Sequence, residues 1–193
     1  MAIEPNKSRK EQLLDVASYL FYEQGYHATG IKQIIEKAGI AKGTFFSHFQ
    51  SKEQLGVAWL HKRHHTWNSW LQAYLSDQDP TPMGQILGIF NFVERWMQDC
   101  DYRGCAFLNA LSEMPDATNP LRKEILEHKQ DLLNQLEHLV SRLKPEESPE
   151  AHLALAHSLL VLLSGCITEM QVFRALWPID AARRAACALI ERK

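Results

Sequence analysis

Apolar residues return every three or four positions along most of this chain, while strand-length alternation and Asn-Gly or Asp-Gly hairpin turns are absent. That period gives each segment one apolar stripe, and such stripes are buried most readily against other helices. The pattern predicts an all-α fold of about nine helices. Local punctuation agrees. Ser8 and Glu11 have capping-box spacing ahead of Leu13, Ala17, Leu20 and Phe21, and Gly25 supplies a stop. A short helix is expected from about Ile31 to Ala38, with Thr29 as its cap, and a third from about Lys42. Ser51 and Gln54 open a longer helix that carries Trp59, Trp67 and Trp70. Beyond the Asp- and Pro-rich loop 76–82, helices are expected near 83–100, 105–114, 120–143, 151–176 and 179–192.

Charge divides the chain unevenly. Residues 1–65 hold nine Lys/Arg against six Asp/Glu, whereas the rest holds twelve against seventeen. A basic amino-terminal module on an acidic body hints at a polyanionic partner at one end. The start of the sequence has no apolar stretch of signal-peptide type, and the run Leu153–Ile167 is broken by His157, Ser158 and Ser164, so a buried helix is expected there and no membrane span. Four cysteines without CxxC pairing fit a reducing cytoplasm.

The stretch "GIAKGTFFSHFQSK" (39–52) gives the basic end its chemistry. Two short helices joined by a glycine turn, after one longer helix, have the size and order of a helix-turn-helix unit. Gly39 permits the sharp turn and Ile40 plugs the core beneath it. Phe45 and Phe49, four apart, are expected to anchor the second helix of the pair on Ile34 and Leu20. Lys42, Thr44 and Ser47 then face outward, toward base edges or phosphates.

The segment "GYHATGIKQIIEKAGIAKGTFFSHFQSKEQL" (25–55) resembles the amino-terminal signature of the TetR/AcrR family of transcriptional regulators. The shared frame is G-Y-x-x-T, an isoleucine-rich helix, A-G-[VI], G-T-[FL], x-H-F and S-K-E-x-L. The match covers roughly residues 8–60. It implies a helix-turn-helix DNA-binding domain over 1–52 and a helical effector-binding and dimerisation domain over 53–193. It also implies DNA contacts from Lys32, Lys42, Gly43, Thr44, Ser47, His48 and Lys52. Lys32 and Lys52 would be phosphate clamps, His48 a phosphate donor, and Lys42 and Thr44 the readers of base edges. Phe46 stands on the same DNA-facing surface, where the family usually has Tyr. Ala41 stands where the family has a capping Ser or Thr, a loss of roughly 0.5–2 kcal/mol. The implied partners are a double-stranded operator, a second copy of the chain and a small-molecule or electrophile effector. If Ala41 and Phe46 have cost the head its DNA binding, the chain is instead a helical small-molecule-binding or interaction protein.

Several candidates lie beyond residue 60. Cys105, next to Arg103 at an expected helix start, is a candidate electrophile or oxidant sensor with Cys100 as partner, set against a plain buried cysteine. Trp67, Trp70, Phe90, Trp96 and Phe107 are candidate pocket-lining aromatics. "HKRHH" (61–65) puts His61 and His65 on one helix face, but no further ligand stands nearby to complete a metal site, and a solvated hinge is the better expectation. Met170, Phe173 and Trp177, with Ala182, Ala186 and Ile190, would suit a four-helix dimer interface, or else the edge of an internal core. No G-x-S-x-G, glycine-rich phosphate loop or H-E-x-x-H is present, so no enzyme, cofactor or metal is expected.

Overall fold

The computed structural model describes residues 7–192, and among them it holds nine helices and no strand. In chain order these are α1 (Arg9–Gln24), α2 (Ile31–Ala38), α3 (Lys42–His48), α4 (Lys52–Ser76), α5 (Pro82–Asp99), α6 (Ala106–Ser112), α7 (Leu121–Leu143), α8 (Pro149–Phe173) and α9 (Trp177–Glu191). Their ends follow the punctuation of the sequence. Ser8 and Glu11 form the reciprocal capping box of α1. Thr81 and Ser148 cap α5 and α8, each with a proline just inside the helix where its missing N–H costs nothing. Pro178 likewise sits in the first turn of α9 and does not interrupt it.

One expected cap is different. Gly30, not Thr29, precedes α2, and no side chain caps that helix. Thr29 is fully buried and its hydroxyl donates to the Gly25 carbonyl at 2.7 Å, closing the loop between α1 and α2 from within. Sequence spacing did not show that a buried acceptor would compete for the hydroxyl.

The chain folds as two compact units. The first takes in the residues up to Thr66 together with Ala106–Leu126. Its core is built from Leu13, Ala17, Leu20 and Phe21 of α1, Ile34 and Ala38 of α2, Phe45 of α3, and Leu55 and Trp59 of α4, all buried. Phe21 lies 5.1 Å, ring to ring, from both Tyr26 and Trp59. Each large side chain so buried contributes about 1.5–3 kcal/mol, and α1 supplies the surface on which α2 and α3 pack.

The second unit comprises Trp67–Cys105 and the residues from Glu127 onward. Here α8 and α9 pack side by side and α5 lies against both. Met170, Ala182, Ala186 and Ile190 are all buried within the single chain, so they form an internal seam. The large exposed apolar side chains of these two helices are others: Val161, Val172, Phe173 and Trp177. Helix α8 is long and apolar enough to cross a membrane by length and composition. The break after α5 is turned by left-handed backbone at Asp101, Tyr102 and Gly104, and Gln171 of α8 donates to the Arg103 carbonyl there at 2.9 Å.

Candidate nucleic-acid interface

The interface begins with the turn. At Gly39 the backbone is left-handed (φ 63°), its N–H reaches the Glu36 carbonyl at 3.2 Å, and the Ile40 N–H reaches Ile35 at 3.1 Å. This Schellman closure ends α2 abruptly, and only glycine enters it without a Cβ penalty. Ile40 is buried immediately afterwards. The chain enters α3 through Ala41, whose extended backbone takes the cap position with no side-chain acceptor to offer.

Helix α3 has two unlike faces. Phe45 and Phe49 are buried, with ring centroids 6.2 Å apart, and they hold the helix to its unit. On the other side Lys42, Gly43, Phe46, Ser47 and His48 are exposed, and Thr44 is half-buried. Phe46 stands edge-on to Phe45, with the Lys42 ammonium 6.0 Å from its ring centre. The hydroxyl of Ser47 is turned back onto the Thr44 carbonyl at 2.8 Å. Gly43 is more telling. A Cβ built there would meet nothing within 4 Å. A glycine in a helix costs about 0.5–1 kcal/mol relative to alanine, and no neighbour in the free protein requires it.

The two expected clamps differ in readiness. Lys32 projects from α2 with its side chain 89% exposed, lightly paired to Glu36 at 3.8 Å. Lys52, at the start of α4, is half-buried over the Tyr26 ring (4.4 Å) and donates to the His27 carbonyl at 3.3 Å. Burial pulls its pKa below the usual lysine value, against the opposing pull of the Glu113 carboxylate. Its ammonium therefore rests against the loop between α1 and α2.

Glu113 is the residue that sequence reasoning missed. Its two carboxylate oxygens accept the N–H groups of Tyr26 (3.1 Å) and His27 (2.6 Å), and its own carbonyl accepts from the His27 ring at 2.5 Å. A carboxylate on two adjacent backbone donors is a charge-assisted clamp. Nothing in the sequence signals it, because donors and acceptor lie 86 or 87 positions apart.

In the second unit, a groove of about 580 Å³ lies between α4 and α5, lined by Trp70, Tyr74, Asp77, Phe92, Trp96 and Asp99 among others. Of the five candidate aromatics, Trp70 and Trp96 line it. Trp67 is buried instead, edge-on to Phe92, Trp96 and His128, and Phe90 is wholly inside. Phe107 is core of the other unit. Cys105 is buried, and Cys166 is pushed up to about 12 by burial. His61 and His65 stand exposed with their Nε2 atoms 3.1 Å apart, and among the described residues no cluster of three or more metal-ligating side chains exists.

Comparison with known proteins turns these features into kinship. Residues 13–58 match the family described as "Bacterial regulatory proteins, tetR family", and residues 82–186 match the "Tetracyclin repressor-like, C-terminal domain". The chain belongs to the TetR family. Among its relatives is the helix-turn-helix-type transcriptional repressor DhaR of Mycobacterium sp. (strain GP1), 24% identical over 174 residues, which are 89% of this chain and 86% of that one. An uncharacterized helix-turn-helix regulator from Lactococcus lactis is 25% identical across 81% of this chain and 84% of its own. Among solved structures, a TetR-family regulator of Streptomyces coelicolor superposes with a TM-score of 0.84 at 24% identity over 94% of both chains. The reduced form of the Escherichia coli regulator NemR gives 0.78 at 20% identity, covering 94% of this chain and 97% of that one. Both structures share the all-helical fold described above.

Proposed function

We propose that this TetR-family chain is a cytoplasmic, homodimeric repressor that holds a palindromic operator and releases it when a small molecule binds its second unit. One observation carries the DNA reading: α3 is fixed by Phe45 and Phe49, while its opposite face offers Lys42, Phe46, Ser47 and His48 beside a glycine that folding does not require. In a helix-turn-helix, that face enters the major groove, and two heads related by a two-fold axis meet half-sites about 34 Å apart. Lys42 and Thr44 face base edges, Gly43 lets the backbone approach, and Lys32, His48 and Lys52 take phosphates. The relatives DhaR and NemR are named as repressors, which supports the sign of the response.

A gel shift against DNA flanking the gene, run over a salt series, tests this reading. The expected result is a retained complex whose affinity falls steeply with salt. No retention at low salt would favour the second reading, a helical ligand-binding protein with a lapsed head, which the uncapped Ala41 and the hydroxyl-less Phe46 motivate. The trigger belongs to reversible ligand binding more than to thiol chemistry, because Cys105 is only 5% exposed and a reactive cysteine needs access as well as a lowered pKa. Cys105→Ser is expected to release operator on effector addition as the parent does. A variant that no longer responds would move the trigger to the thiol, with an electrophile as effector.

A further inference from the structure

The groove between α4 and α5 has a composition that specifies its occupant. Four aromatic side chains line it, Trp70, Tyr74, Phe92 and Trp96. Tyr74 and Phe92 stand 5.7 Å apart, and Trp70 is 46% exposed at the mouth. The charged lining is acidic on balance, with Asp77 and Asp99 against Arg95. Arg95 is already taken, since its guanidinium lies 3.9 Å from Asp99 one turn along α5. Among the described residues no ion pair engages Asp77. Asp77 follows directly on the carboxyl-terminal end of α4 at Ser76, where the helix dipole adds further negative potential. Phe92 and Trp96 are each only 6% exposed, so Trp70 and Tyr74 are the rings a ligand in the groove would meet.

We propose that this groove binds a planar aromatic cation, stacked against Trp70 and Tyr74 with its charge opposite Asp77. Aromatic faces attract cations through their quadrupole, and a free carboxylate adds selectivity for charge sign. A neutral flat ligand would gain the rings but not Asp77. An anion would face Asp77 and would have to displace Asp99 from Arg95.

The ligand class rests on the ligand-responsive reading for its consequence, but its test needs no DNA. Calorimetric titration of the full chain would compare 10-methylacridinium-9-carboxamide with the neutral acridine-9-carboxamide and the anionic acridine-9-carboxylate at pH 8. The cation is expected to bind roughly tenfold or more tightly than the other two. Asp77→Asn should bring it down to the level of the neutral compound, and Trp70→Ala should weaken both. Asp77 is exposed, so thermal unfolding of Asp77→Asn should match the parent. Equal or tighter binding of the neutral or anionic probe overturns the proposal, as does a cation affinity that Asp77→Asn leaves unchanged. Failure of the operator gel shift would sink the regulator reading with cation selectivity intact, whereas absent selectivity sinks this inference with operator binding intact.

Discussion

At the scale of single residues, Gly43 separates what folding needs from what DNA needs. The space around its Cα is open and its backbone lies in α3, so alanine fits there without displacing anything. Gly43→Ala is therefore expected to raise the unfolding free energy by about 0.5–1 kcal/mol while lowering operator affinity, because the added methyl meets the DNA backbone. Urea unfolding and a gel shift on the same variant check the two signs. A gain in both would return Gly43 to the ordinary surface. Lys32 offers a complementary measurement. Its side chain is almost wholly exposed and, among the described residues, is tied only to Glu36, so its loss disturbs little of the fold. Lys32→Ala should weaken binding to every DNA sequence alike and reduce the salt slope by about 0.9. An unchanged slope removes it from the phosphate contacts. Lys52 is the poorer probe, because its replacement also takes away the cover over Tyr26 and the bond to His27.

At the scale of elements, the loop between α1 and α2 is held by a helix far away in sequence. Glu113, just past the end of α6, satisfies two loop N–H groups at once. Removing it leaves two donors to find new partners, one of them on the buried Tyr26. Glu113→Ala should cost about 1–3 kcal/mol in urea unfolding and reduce operator affinity in proportion, since α2 hangs from that loop. Glu113→Gln keeps an acceptor oxygen and should fall between. Equal stability of alanine variant and parent would show the clamp to be dispensable.

The same element shows what was legible in the sequence. Many helix ends were, because caps, prolines and stop glycines act within four residues: Ser8, Ser148 and Gly39 all do what local chemistry requires. The two-faced α3 was also legible, since Phe45 and Phe49 are one turn apart. What depends on tertiary position was not. Thr29 turned to a buried carbonyl, Glu113 reached a loop 86 residues away, and Trp67 and Phe90 went into the core while Trp70 stayed at the groove mouth. Periodicity gives the stripe on a helix; it does not say whether the stripe meets this chain, a ligand or a second copy.

That ambiguity is sharpest for the whole molecule, in α8 and α9. Met170, Ala182, Ala186 and Ile190 are used up inside the chain, yet α8 stays apolar on its outward side. Its exposed positions include Ala154, Val161, Gly165, Thr168 and Val172, spaced by three, four or seven. Small and β-branched residues at that spacing let a second helix approach closely, as in a four-helix contact between two subunits. Such a contact also accounts for the apolar length of α8 without a bilayer. Trp177 and Phe173, edge-on with ring centroids 5.1 Å apart at the α8–α9 junction, are exposed as well. Val161 is 70% exposed, so a charge there costs the monomer almost nothing and the dimer a great deal, since each copy of a two-fold interface would bring one glutamate to the seam. Val161→Glu is expected to sediment as a monomer at concentrations where the parent is a dimer, with thermal unfolding no longer dependent on protein concentration. On DNA it should lose the operator while each head keeps its weak, salt-dependent hold on a half-site. If Val161→Glu still sediments as a dimer, the subunits meet elsewhere and the outward stripe of α8 needs another partner.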